Sequence, residues 1–150
     1  MINVGETIPE FTLKDQDNKD FSNRELKGKR ILLSFHPLAW TSVCASQMKS
    51  LEDNMETFSR LNTVPLGISV DQPFCKGAWA KELGIKNVRL LADFWPHGDL
   101  AQKLDIFREK NGISERANII VDEEGKVVFA KVYEIKEIPD IDEILEFLRK

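Results

Sequence analysis

From Phe35 the chain reads Phe35-His36-Pro37-Leu38-Ala39-Trp40-Thr41-Ser42-Val43-Cys44, an apolar strand running into a proline-bearing loop and then a cysteine where a helix begins. Free backbone N–H groups and the positive dipole end at a helix start favour thiolate over thiol. Thr41, one turn before the sulfur, supplies a hydroxyl able to donate to the thiolate or to an oxygen of a bound substrate. Pro37 brings no N–H and stiffens the loop, which shields the sulfur while leaving a narrow opening. The combination describes an activated sulfur nucleophile. On residue type alone the opposite reading stands beside it, because free cysteine is among the most buried residues and is often inert core. The second cysteine, Cys75, forms no C-x-x-C pair with the first, and two cysteines are too few for a disulfide scaffold. His36 and His97 share no usual ligand spacing with the cysteines, so neither a metal nor another cofactor is expected.

A nucleophile of this kind needs elements that hold it. The run Arg30 to Phe35 is too short for a helix and reads as a strand buried on both faces, ended by His36-Pro37. Cys44, Met48, Leu51, Met55 and Phe58 recur at helical spacing and predict one helix from Thr41 to about Arg60, with Cys44 facing inward. Strand Val64 to Val70, helix Pro73 to Leu83 and strand Val88 to Leu91 follow in alternation, the pattern of crossover units. Upstream, Phe11-Thr12-Leu13 and Phe21 flank a polar turn and predict a hairpin; Ser22 caps a short helix ending before Gly28. Downstream come an irregular stretch, Asp93 to Gly98, and a short helix from about Asp99 to Leu104. Strands Ala117 to Val121 and Lys126 to Tyr133 then flank a turn ending in Gly125, and Ile141, Ile144, Leu145 and Leu148 stripe a final helix. Together these predict an α/β fold with a mixed central sheet, helices on both faces and an N-terminal hairpin, the thioredoxin-like arrangement.

At 150 residues, 42% hydrophobic and 31% charged, the chain suits one compact domain spanning 1–150. A net charge of −4 offers no basic face, so neither nucleic acid nor an anionic membrane surface is an expected partner. The longest apolar runs, Ile31 to Leu33 and Ile119 to Val121, fall far below the roughly 20 residues of a membrane-spanning helix. No basic-then-apolar leader begins at Met1, and the expected location is the cytoplasm, where cysteines are either quiet or reactive.

The spacing Pro37-x-x-x-Thr41-x-x-Cys44 resembles the active-site signature of the peroxiredoxins. The likeness extends through Phe11-Thr12-Leu13, Gly67-Ile68-Ser69-Val70-Asp71 and Ala78-Trp79-Ala80 to Arg116-Ala117-Asn118-Ile119-Ile120-Val121-Asp122. Leu91-Ala92-Asp93-Phe94-Trp95-Pro96-His97-Gly98 is most similar to the alkyl hydroperoxide reductase E branch. The resemblance implies a thiol peroxidase acting on hydrogen peroxide and organic hydroperoxides. In it Cys44 is the attacking cysteine, Pro37 and Thr41 are its loop partners, and Arg116 is the guanidinium that completes the pocket. It also implies that Trp40 walls the peroxide pocket, unless that side chain merely packs. Gln47 stands where relatives carry a polar residue that orients the arginine; a solvent-facing glutamine is the alternative. Cys75 stands in the third helix, where some members of the bacterioferritin comigratory protein type carry a resolving cysteine. This implies a Cys44–Cys75 disulfide recycled by thioredoxin or a glutaredoxin-like donor, with Gly77 easing the helix movement. One-cysteine resolution by an external thiol, or a slow peroxide sensor, are the alternatives. The resemblance further implies a homodimer formed near the active-site loops.

Overall fold

A computed structural model describes residues 1–150. Its elements are β1 (Thr12–Lys14), β2 (Asp20–Ser22), β3 (Arg30–Phe35), α1 (Ser42–Asp53), α2 (Met55–Arg60), β4 (Thr63–Ser69), α3 (Pro73–Leu83), β5 (Arg89–Ala92), α4 (Asp99–Lys103), β6 (Phe107–Arg108), β7 (Ile113–Ser114), β8 (Arg116–Val121), β9 (Val127–Tyr133) and α5 (Ile141–Arg149). A seven-stranded sheet has the order β2-β1-β5-β4-β3-β8-β9. Its centre, β5-β4-β3, is parallel, and β8 runs antiparallel to β3. The hairpin β1–β2 joins the sheet antiparallel to β5. The expected mixed sheet, hairpin and covering helices are all present.

The pleat sorts side chains between two cores. Ile31, Leu33 and Phe35 of β3 meet Leu66, Ile68, Ala117, Ile119 and the residues of α4 on one face. Leu32, on the opposite face, packs with Ile120, Met48 and Leu51 of α1, Trp79 of α3, and Ile144 and Leu148 of α5. Each such fully buried aliphatic contributes about 1.5–3 kcal/mol relative to exposure. Because both faces are covered, β3 lacks the alternation of a half-exposed strand and reads as one apolar run.

Two expectations change. The predicted helix from Thr41 to Arg60 breaks at Asn54, whose side-chain amide donates to the Ser50 carbonyl at 2.8 Å while its backbone N–H reaches Leu51 at 3.2 Å. The amide competes with the helical ladder there, yet Met48, Leu51, Met55 and Phe58 remain packed on one cluster, so the apolar period runs on through the break. The small β6–β7 pair, only two residues per strand, falls within a stretch given no element by its pattern. Gly77 also has a packing reason: a Cβ there would stand 2.7 Å from the Gln16 carbonyl oxygen, so α3 lies directly on the β1–β2 turn.

Candidate active site

The parallel strands β3 and β4 end side by side at Phe35 and Ser69, and β8, running the other way, begins beside them at Arg116. A crevice at the carboxyl ends of parallel strands is where open α/β sheets place their sites. Helix α1 starts at this edge with Thr41 at its N-cap, which puts Cys44 in the first turn. Cys44 is 1% exposed and Pro37 is buried, whereas Thr41 and Trp40 are exposed. Trp40 adopts a φ of 68°, a left-handed turn that lets the loop enter the helix.

Register brings Arg116 to the sulfur. Ser34 and Asn118 are cross-strand partners, so Arg116, two residues before Asn118, projects from the same face of the sheet toward α1. Its Nη1 donates to Cys44 Sγ at 3.3 Å and to Gln47 Oε1 at 2.7 Å; its Nε and Nη2 donate to the Ile135 carbonyl at 3.1 and 2.7 Å. Arg116 is 2% exposed, and none of these partners is a carboxylate. No carboxylate therefore balances its charge. Gln47 is buried and not solvent-facing: its amide donates to Ser34 Oγ at 2.8 Å and to the Phe35 carbonyl at 3.1 Å. Ser34 in turn donates to Asn118 Oδ1 at 2.7 Å. A buried polar chain thus fixes the guanidinium from both β3 and β8.

The Thr41 hydroxyl, expected to donate to the thiolate or to an oxygen of a bound substrate, is already engaged within its own loop. It donates to the Leu38 carbonyl at 2.8 Å, which closes the loop on itself and leaves its lone pairs as acceptors. Cys75 lies apart from this group, half-buried in the first turn of α3, but it packs against the same apolar cluster as Cys44. Both cysteines are free. Burial, and then the Asp71 carboxylate, push the Cys75 thiol up from its ordinary value, against a smaller opposing pull from the Trp40 indole.

Sequence reasoning gave no role to Lys76 and only packing or hydrogen bonding to His36. Lys76 is fully buried, with Nζ 2.7 Å from Ser69 Oγ and 3.1 Å from His36 Nε2. The signal was available: Lys76 precedes Trp79 by three positions, so on a helix the two share a face. Burial pushes the Lys76 ammonium down to about 7, and burial first, then the charges of Lys76 and Arg116, hold His36 well below its ordinary 6.5. Both signs agree. Between about 7 and the ordinary lysine value of 10.5, the unfolded chain binds a proton that the folded one does not, so stability rises with pH across that window. Below 6.5 the unfolded chain protonates His36 while the folded chain keeps it neutral, so stability falls with acid. Denaturation followed from pH 5 to 9 is expected to show stability increasing throughout, with Lys76 accounting for on the order of several kcal/mol of the full lysine window. Lys76→Met is expected to flatten the limb above pH 7 and keep the limb below 6.5; parallel curves for the two proteins would contradict this.

A thioredoxin-like sheet that presents a buried cysteine to an unpaired guanidinium at its carboxyl edge belongs to the class of peroxide-reducing thiol enzymes. The chain is a member of the AhpC/TSA family, the peroxiredoxins, whose family model matches residues 4–130. It is 38% identical over 141 residues to alkyl hydroperoxide reductase E of Mycobacterium tuberculosis, covering 93% of this chain and 92% of that one. It is 34% identical over 146 residues to a thiol peroxidase of Vibrio cholerae, covering 95% and 87%. Among solved structures, the reduced 2-Cys peroxiredoxin of Plasmodium vivax superimposes with a TM-score of 0.89 at 28% identity, covering 99% of this chain and 81% of that one. The activity of this family is thiol-dependent reduction of peroxides.

Proposed function

We propose that Cys44 is the sulfur that reduces hydrogen peroxide and organic hydroperoxides, with Arg116, Thr41 and Pro37 forming its pocket and Cys75 resolving the product. The observation that carries this reading is the 3.3 Å contact from Arg116 Nη1 to Cys44 Sγ, made by a guanidinium with no carboxylate partner. In the reaction the thiolate attacks one peroxide oxygen, the O–O bond breaks, and the other oxygen departs as water or an alcohol after taking a proton. Cys44 is left as a sulfenic acid. Negative charge moves from sulfur onto the leaving oxygen, and a fixed cation beside that path stabilises the transition state more than the ground state. Thr41, whose O–H donates to the Leu38 carbonyl, accepts the hydroperoxide O–H through its oxygen and orients it. Pro37 and Trp40 wall the opening.

Cys75 then attacks the sulfenic acid, giving a Cys44–Cys75 disulfide and water, and the first turns of α1 and α3 unwind to bring the sulfurs within bonding geometry. Thioredoxin or a glutaredoxin-like donor reduces the disulfide in the cytoplasm. Leu38, Trp40, Phe94 and Trp95 remain exposed on the loops of this edge, and they supply the contact for a homodimer.

Intact mass with thiol alkylation, before and after one equivalent of hydrogen peroxide, tests the two-cysteine cycle. Wild type is expected to lose two hydrogens and both alkylatable thiols without a dimer mass, while Cys75→Ser stops at one added oxygen. If wild type instead gains one oxygen and Cys75 stays alkylatable, Cys75 is structural and an external thiol resolves Cys44.

A further inference from the structure

The resolving step presents a chemical difficulty that the surroundings of Cys75 address. A nucleophile must be a thiolate, yet Cys75 is half-buried beside a carboxylate, and its thiol holds its proton more tightly than usual. The carboxylate is Asp71, whose Oδ1 accepts from Cys75 Sγ at 3.9 Å. Its other oxygen is fully engaged: Oδ2 accepts from Ser69 Oγ at 2.6 Å and from the Ala39 backbone N–H at 2.7 Å. Ser69 Oγ accepts in turn from the buried Lys76 ammonium. The carboxylate is therefore clamped through one oxygen, by β4, by the active-site loop and at one remove by Lys76, with the free oxygen aimed at the sulfur. The Trp40 indole, from the same loop, favours the thiolate form of Cys75.

We propose that Asp71 is the general base of the resolving step, taking the Cys75 proton as that sulfur attacks the Cys44 sulfenic acid, with Ser69 and Lys76 positioning it. This rests on Cys75 being the resolving cysteine. In the step, the Cys75 S–H bond breaks and its proton passes to Asp71. The new S–S bond forms from the electron pair left on Cys75, and the Cys44 S–O bond breaks. Hydroxide leaves and becomes water with a solvent proton, and Asp71 returns its proton to solvent, so the products are a disulfide and one water. The Ala39 hydrogen bond gives the same carboxylate a hold on the Cys44 loop, so the base belongs to both halves of the rearrangement. Cys75 and Lys76 of α3 are the titratable groups that interact with Asp71; Lys76 in turn feels Cys44 of α1 and Asp93 after β5, and His36 of the β3–α1 loop feels Lys76 and Arg116 of β8.

Rapid-quench alkylation after one equivalent of hydrogen peroxide separates Cys44 oxidation from disulfide formation, and the second rate is followed from pH 6 to 8. With an internal base, the wild-type rate is nearly flat, changing by no more than the step at which Lys76 loses its proton, near 7. Asp71→Asn, which keeps an oxygen for Ala39 and Ser69, is expected to slow disulfide formation about 10²-fold at pH 7 and to make it climb about tenfold per pH unit. Asp71→Glu, which keeps the carboxylate, retains the flat profile. Asp71 also repels negative charge on Cys75, so if repulsion were its only effect, Asp71→Asn would be faster; an equal or faster rate overturns the proposal. A wild-type rate that itself climbs tenfold per unit overturns it without any variant. If wild type forms no disulfide at all, the resolving role of Cys75 has failed, and that outcome is distinct from a disulfide formed without need of Asp71.

Discussion

Cys44→Ser is expected to abolish peroxide consumption, leaving no turnover above that of buffer with the reductant alone. A serine hydroxyl keeps the shape of the site, but at neutral pH it is almost never an anion, and oxygen does not replace sulfur as an acceptor of peroxide oxygen. Arg116 would then face a neutral hydroxyl with no anion beside it, so stability should be measured alongside activity to separate lost chemistry from a weakened fold. Coupled peroxide consumption with a dithiol reductant measures this. Cys75→Ser provides the contrast, since it should still oxidise at Cys44 once per chain. Activity of Cys44→Ser equal to wild type would mean that the reacting group lies elsewhere.

The second large effect is expected at Arg116. Replacing it with methionine should slow oxidation of Cys44 by about 10²–10³-fold, the loss typical of removing one transition-state donor from a preorganised site. The cause is local: Nη1 is the donor on the sulfur, and Gln47 and Ile135 hold the guanidinium through three further hydrogen bonds. Methionine also leaves Gln47 Oε1 without its donor, at a cost of about 1–3 kcal/mol to the fold, so stability should be measured alongside rate. Gln47→Met should reduce the rate less, because the Ile135 carbonyl still holds two guanidinium nitrogens. The double variant should be little slower than Arg116→Met alone, since Gln47 acts only through Arg116. Stopped-flow oxidation of the prereduced protein gives each rate; additive losses would show that Gln47 works independently.

Much of this site is legible in the residues before any fold is known. Pro37, Thr41 and Cys44 lie within eight consecutive residues, so local chain geometry alone places them together at a strand-to-helix junction. Arg116 is visible only through the family resemblance, because it arrives by strand pairing from the far end of the chain. Ser34 and Asn118 gave a fainter sign: each is a polar residue inside an apolar strand buried on both faces, and such residues need partners. Gln47 could not be assigned, since its α1 face is decided by how the helix sits on β3. The break at Asn54 was hidden because the apolar period continues across it. Lys76 was missed because a lysine beside a glycine in a short helix reads as surface, whereas the chain buries it on Ser69 and His36. The Thr41 hydroxyl shows the limit of spacing arguments. Thr41 stands at the start of α1 as the spacing places it, but its hydroxyl donates to the Leu38 carbonyl, which leaves only its lone pairs free to accept.

The most direct test of the central claim is to identify the sulfur that takes the oxygen. Reduced Cys75→Ser protein, given one equivalent of hydrogen peroxide in the presence of a carbon nucleophile that captures sulfenic acids, should carry the adduct on the peptide containing Cys44 in nearly every chain. The same treatment of the Arg116→Met, Cys75→Ser protein should give the adduct far more slowly. An unmodified, fully alkylatable Cys44 after the peroxide has been consumed would contradict the account.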